Sequence, residues 1–246
     1  MTENKSKDYA TLSHRNDGSS VLEIKKGTTR ENTYYLHGEK APHVYLEHHL
    51  CNQYSAYRLI EKDIRSILSW LKTMHEIISS EEFISRATTP EKMDLIKALF
   101  ISSVTFYGKC FTRCEGRRIK LEEKNFVDEK YKEIHSSIMD IRHNLAAHSG
   151  KAGYEKARVA LILHPRGLDI KPELFVEMMQ ANYITDKGDI ENDEFYQLAL
   201  SLQNKLIEKI TILDEKILNE VVRPKGQEYW YTESEKVKNA QKLGTD

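Results

Sequence analysis

The sequence predicts a mainly α-helical protein: an up-and-down bundle of about four long helices, with a short β-rich insertion between the third and fourth. Three observations carry this. Apolar residues recur in long stripes at alternating steps of three and four, helix-start signals precede them, and alternating β-like patterns are brief. Residues 1–20 are polar and short of bulky apolar groups, which predicts a disordered N-terminal segment. Val21–Ile24 and Tyr34–Leu36 suit short strands.

The first helix spans about residues 50–79, striped by Tyr57, Ile60, Ile64, Ile67, Leu71, Met74 and Ile78. The second starts at Thr89-Pro90-Glu91, a threonine cap followed by proline at the first helical position. It runs to about Cys114, with Gly116 as its stop. Between Leu95 and Phe111 it is apolar on nearly every face, which predicts a central helix packed on several sides. Ser103 and Tyr107, one turn apart on it, are expected core contacts.

The third helix carries Val127, Tyr131, Ile134, Ile138, Ile141 and Leu145 and ends near Gly150. The insertion at about 156–184 follows. Arg158–Leu163 is β-like and Pro165-Arg166-Gly167 a turn, while Leu174–Ala181 fits strand or helix. The last helix begins near Asn192-Asp193 and buries Phe195, Leu198, Leu202, Leu206, Ile210, Leu213, Ile217 and Val221. Pro224 and Gly226 end it. Residues 223–246 form a polar tail apart from Tyr229-Trp230-Tyr231. No Pro/Gly/Ser-rich linker divides residues 21–222, so a single helical domain is expected.

Lysine and arginine (37) balance aspartate and glutamate (38) among 246 residues, a net charge of −1. That balance excludes a protein that coats nucleic acid through bulk charge, though not a local basic cleft. Cys51, Cys110 and Cys114 are an odd set without disulfide-scaffold spacing. Met1–Asp17 is polar, and no apolar run approaches the ~18 residues needed to span a bilayer. A cytoplasmic protein is expected.

The third helix closes on Arg142-His143-Asn144-Leu145-Ala146-Ala147-His148. An imidazole, with an ordinary pKa of about 6.5, exchanges protons near neutral pH. A guanidinium bridges the charge of a crowded phosphate with two hydrogen bonds. Together they suit cleavage of RNA by its own 2′-hydroxyl, without metal or cofactor. On an ideal helix Arg142 and His148 lie about 9 Å and about 120° apart, so one chain does not bring them side by side unless the helix end unwinds near Gly150. A second interpretation stays open. Basic residues at a helix C-terminus complement its dipole, and His148 continues the apolar stripe.

This helix end resembles the signature of the HEPN superfamily: an arginine, a polar neighbour, and a histidine after four to six intervening residues. Arg142, His143 and His148 match it, with Asn144 one place later than the asparagine often found beside the arginine. Over about residues 50–222 the resemblance implies a helical bundle acting as a metal-independent endoribonuclease of toxin or phage-defence type. It implies a homodimer that joins two motif copies in one cleft, RNA as substrate, and an antitoxin or regulatory protein as partner. The alternative is a non-catalytic HEPN-like module that binds a partner protein or a nucleotide.

Lys109, Arg113, Arg117 and Arg118, near the end of the second helix, are candidate RNA contacts or a charge-complemented helix end. Cys110 and Cys114 share a helical face with no further ligand near them in sequence, so two buried thiols are expected rather than a metal site. His37, His43, His48 and His49 cluster before the first helix as a weaker metal candidate. No phosphate-binding glycine loop, zinc-finger spacing or serine-nucleophile motif occurs.

Overall fold

The computed structural model describes residues 9–14, 19–26, 29–84, 89–117, 119–147, 155–163, 173–180 and 188–243. Four strands come first: β1 (Tyr9–His14), β2 (Ser19–Lys26), β3 (Thr29–Leu36) and β4 (Glu39–Ala41). Helix α1 (His49–Ile78) follows, then the short α2 (Glu81–Ile84), α3 (Pro90–Phe111) and the single turn α4 (Glu123–Phe126). Helix α5 (Lys132–Ile141) continues without a break into a π-helical segment, Arg142–Ala147. Strands β5 (Glu155–Ile162) and β6 (Glu173–Gln180) precede α6 (Glu194–Ile217), and α7 (Gln227–Leu243) closes the chain. The fold is mainly α.

The chain divides into two compact units, Met1–Cys51 with Glu215–Asp246, and Asn52–Asp214. No flexible connector marks the division, because it falls inside α1 and α6, which local composition cannot reveal.

In the first unit the strands form an antiparallel sheet in the order β1-β2-β3-β4. The expected strands at Val21–Ile24 and Tyr34–Leu36 lie within β2 and β3 and pair there, Val21 opposite Tyr34. Of the opening segment expected to be disordered, residues 1–8 and 15–18 lie outside the described residues, and Tyr9–His14 form β1, which pairs with β2 along its whole length, Leu12 opposite Leu22. Backbone hydrogen bonding to β2 orders residues that bury little of their own, since Ala10–Ser13 are exposed. The polar tail likewise forms α7. Gly226 (φ +76°) breaks the preceding helical run, and the Trp230 indole donates to the Val222 carbonyl at 2.9 Å. That anchor and the Lys236–Glu233 pair (2.6 Å) support a helix with few apolar residues.

The second unit holds the helical core. Ile60, Ile64, Ile67, Leu71 and Met74 of α1 are fully buried, as their stripe predicts. They meet Ile96, Phe100, Val104 and Tyr107 of α3, Ile138 of α5, and Leu198, Leu202 and Leu206 of α6 in one cluster. Thr89 and Pro90 start α3 where expected. Backbone hydrogen bonding at this helix start holds the Glu91 carboxyl below its usual range, with a smaller contribution from the Thr89 hydroxyl. Helix α3 buries one broad face rather than all sides: Met93 and Leu95 are exposed. It also ends earlier than expected, at Phe111, where Thr112 turns extended and returns its hydroxyl to the Gly108 carbonyl at 2.8 Å. The insertion is a two-stranded antiparallel hairpin, β5–β6, which settles 173–180 as strand. No helix among the described residues is long and apolar enough to cross a membrane.

Candidate functional site

The site is built where the end of α5 crosses α3. Arg142 opens the π-helical segment, its backbone N–H bonding to the carbonyls of Ile138 and Met139. Side chains on a helix lean toward its N-terminus. The Arg142 stem lies against α3 at Gly108. A Cβ on Gly108 would sit 2.8 Å from Arg142 Cγ, 3.0 Å from Cδ and 3.1 Å from Nε. The glycine is therefore the floor on which the arginine rests. Arg142 is partly buried, and among the described residues no carboxylate pairs with its guanidinium.

The two polar neighbours differ. Asn144 bonds back to Asp140, its amide donating to the backbone carbonyl (3.1 Å) and to Oδ1 (2.7 Å). His143 is exposed, with Nδ1 3.5 Å from Arg142 Nη1, a contact too long for a strong hydrogen bond. His148 lies outside the described residues, as does Arg118. The structure therefore brings Arg142, His143 and Asn144 to one helix end. π-Helical turns are rare and often mark functional sites, because they rotate side chains out of the regular α register.

Beneath this end runs a buried polar chain that sequence reasoning missed. Tyr107, next to Gly108, lies 2.6 Å (OH to Nδ1) from His135, and both are buried. Burial raises the Tyr107 hydroxyl well above its usual pKa, with smaller contributions from Cys110 and Glu123. Burial lowers His135, partly opposed by Glu123. Both are thus neutral, the phenol donating to Nδ1, which leaves the imidazole Nε2–H facing Glu123 Oε2 at 3.7 Å. His135 stands seven residues before Arg142, two turns back on nearly the same face. That spacing was the available signal: His135 falls three before Ile138 on the buried side.

The basic stretch is rearranged. Arg117 is buried and binds Asp63, itself 1% exposed, and Lys109 reaches the same carboxylate at 3.2 Å. Arg117 is therefore enclosed and tied to α1, whereas Lys109 shares the carboxylate while its side chain stays half-exposed. Arg113 remains exposed. Arg117 Nη1 is buried without a hydrogen-bond partner.

Cys110 is buried, its thiol pushed up to about 12 by desolvation above all. Cys114 is half-buried. His43 lies between Tyr34 and Tyr45 (ring centroids 4.7 and 5.3 Å), while His48 and His49 stack on each other at 4.2 Å. His37 takes a left-handed turn conformation (φ +49°). Among the described residues no three His, Cys, Asp or Glu side chains converge as a metal site would require. No family model, no curated protein and no solved structure matches this chain.

Proposed function

We propose that the chain is a metal-independent endoribonuclease of HEPN type, acting as a toxin or phage-defence effector in the cytoplasm. One observation carries the proposal: a guanidinium with no carboxylate partner among the described residues, Arg142, heads a π-helical turn that also contains His143 and leads to His148. A guanidinium not held by a carboxylate keeps its forked donors free for the bidentate grip that a phosphate accepts.

In the proposed reaction an imidazole, His148, takes the proton of the 2′-hydroxyl. The O2′–P bond forms as the P–O5′ bond breaks, and a proton passes to the departing 5′-oxygen. The products are a 2′,3′-cyclic phosphate and a 5′-hydroxyl. Arg142 holds the non-bridging phosphate oxygens as negative charge gathers there. His143 is the better support for it, since Asn144 is engaged with Asp140. The account involves a homodimer, which presents two motif copies to one RNA, and an antitoxin or regulatory protein that restrains it.

One observation favours a second reading, a non-catalytic module binding a partner protein or nucleotide: the Arg142 stem fills the groove at Gly108 and so has a packing role. The test separates the two. Purified parent, Arg142→Ala and His148→Ala proteins are incubated with single-stranded RNA. Cleavage by the parent, suppressed at least about 100-fold in each folded variant, supports the enzyme. Equal activity, or equal inactivity, in all three supports the module.

A further inference from the structure

Within the second unit a cavity of about 370 Å³ lies between the first turns of α1 and the loop that follows α3. Asn52, Ser55 and Leu59 stand at steps of three and four, so one face of α1 makes its wall. Ile119 adds a second apolar contact. Exposed Asn52, Gln53 and Ser55 border it with two amides and a hydroxyl.

The charged residue of the lining is Arg117, only 8% exposed. Its Nη2 binds Asp63, whereas Nη1 is buried and meets no acceptor among the described residues. A buried charged donor left unpaired is costly, and folded proteins fill such a place with a water, an ion or a ligand. Lys109 reaches the same Asp63 oxygen at 3.2 Å. Two cations therefore share one carboxylate, and the cluster carries one surplus positive charge.

We propose that this cavity binds a small monocarboxylic acid. Its carboxylate supplies the acceptor that Arg117 Nη1 lacks, and its apolar body lies on Leu59 and Ile119. Charge selects the head group, since one surplus positive charge is balanced by one carboxylate, whereas a phosphate monoester brings nearly two negative charges. Size selects the rest. Small-molecule sites run from about 300 to 1,000 Å³, and this one lies near the lower end. Rotamer shifts of the exposed rim side chains, common on binding, open the covered nitrogen to the ligand. Arg142 takes no part in the lining, so the inference does not rest on the ribonuclease reading.

Calorimetry and thermal unfolding of the full chain with sodium butyrate test the assignment, with n-butanol as the uncharged control. Butyrate is expected to bind saturably, with a dissociation constant on the order of 1 mM, and to raise the unfolding midpoint. Butanol does neither. The Arg117 guanidinium N–H resonances shift along the same binding curve, a readout that needs no variant. Gly116→Leu fills the cavity from its border, where an added Cβ meets no heavy atom within 4 Å. It leaves the Asp63 pair in place and weakens butyrate binding by about tenfold or more.

No saturable butyrate binding overturns the proposal and leaves a water as the partner of Nη1. Equal binding of butanol, Arg117 resonances indifferent to butyrate, or a folded Gly116→Leu that binds like the parent also overturns it. Inorganic phosphate or single-stranded RNA moving those resonances at lower concentration than butyrate overturns the carboxylate and makes Arg117 a phosphate contact. Should Gly116→Leu fail to fold, the Arg117 resonances of the parent decide alone.

Discussion

Gly108 and Arg142 meet so closely that any side chain on the first displaces the second: a Cβ there would stand 2.8 Å from Arg142 Cγ. Gly108→Ala should therefore separate stability from activity. Alanine gains about 0.5–1 kcal/mol in a helix over glycine, which offsets strain from shifting the arginine stem. Unfolding free energy is expected within about 1 kcal/mol of the parent. A misplacement near 1 Å at a reacting group costs on the order of 10²-fold, so RNA cleavage should fall about 10–100-fold. Urea unfolding beside a cleavage assay checks both. Unchanged cleavage in the folded variant would separate the Gly108 floor from the reaction.

The buried ion pair makes a larger stability prediction. Asp63→Ala strands the buried Arg117 guanidinium, one nitrogen of which already has no partner. Breaking such a pair from one side costs about 3–5 kcal/mol. Lys109→Ala, which removes a half-exposed partner of the same carboxylate, should cost about 1 kcal/mol or less. Denaturant midpoints order the two variants. Equal losses would contradict the placement of Arg117.

Tyr107 and His135 give a pH signature. Burial sets the His135 pKa below its usual value in the folded chain, so the unfolded chain binds more protons once pH approaches about 6.5. The stabilisation is full above that value and is lost as pH falls below it. The difference in stability between about pH 7.5 and 5.5 should shrink in His135→Gln. Tyr107→Phe removes the proton offered to Nδ1 and should cost about 1–3 kcal/mol. A pH profile identical in parent and His135→Gln would contradict the neutral, buried pair.

Much of this architecture is legible in the sequence because it is periodic. The α1 and α6 stripes name their buried faces nearly residue by residue, and Thr89-Pro90 marks where α3 begins. What escapes is set by partners far away in the chain. Strand β1 is ordered by β2, α7 is anchored by Trp230 on Val222, and Arg117 reads as a surface charge until Asp63, fifty-four residues earlier, comes to meet it. The candidate site divides the same way. Arg142, His143 and Asn144 stand out as a local motif, and Gly108 as a small residue open to close approach, whereas His135 and the identity of the side chain on Gly108 become visible only when α3 and α5 cross.

The proposed chemistry uses an imidazole and a guanidinium, and neither requires a Lewis acid. RNA cleavage should therefore persist in excess EDTA at a rate within about twofold of the untreated protein. Loss of cleavage with the chelator, restored by zinc or manganese, would redirect attention to a metal-assisted reaction.

The most direct test of the central claim is the chemistry of the cut ends. A defined RNA is cleaved by the parent, and the fragments are identified by mass. The same RNA carrying a single 2′-deoxyribose at the scissile position serves as its partner substrate. The account predicts a 2′,3′-cyclic phosphate and a 5′-hydroxyl from the first, no cut at the modified position in the second, and neither product from Arg142→Ala. A 5′-phosphate end, cleavage across the 2′-deoxy position, or full activity in Arg142→Ala would contradict it.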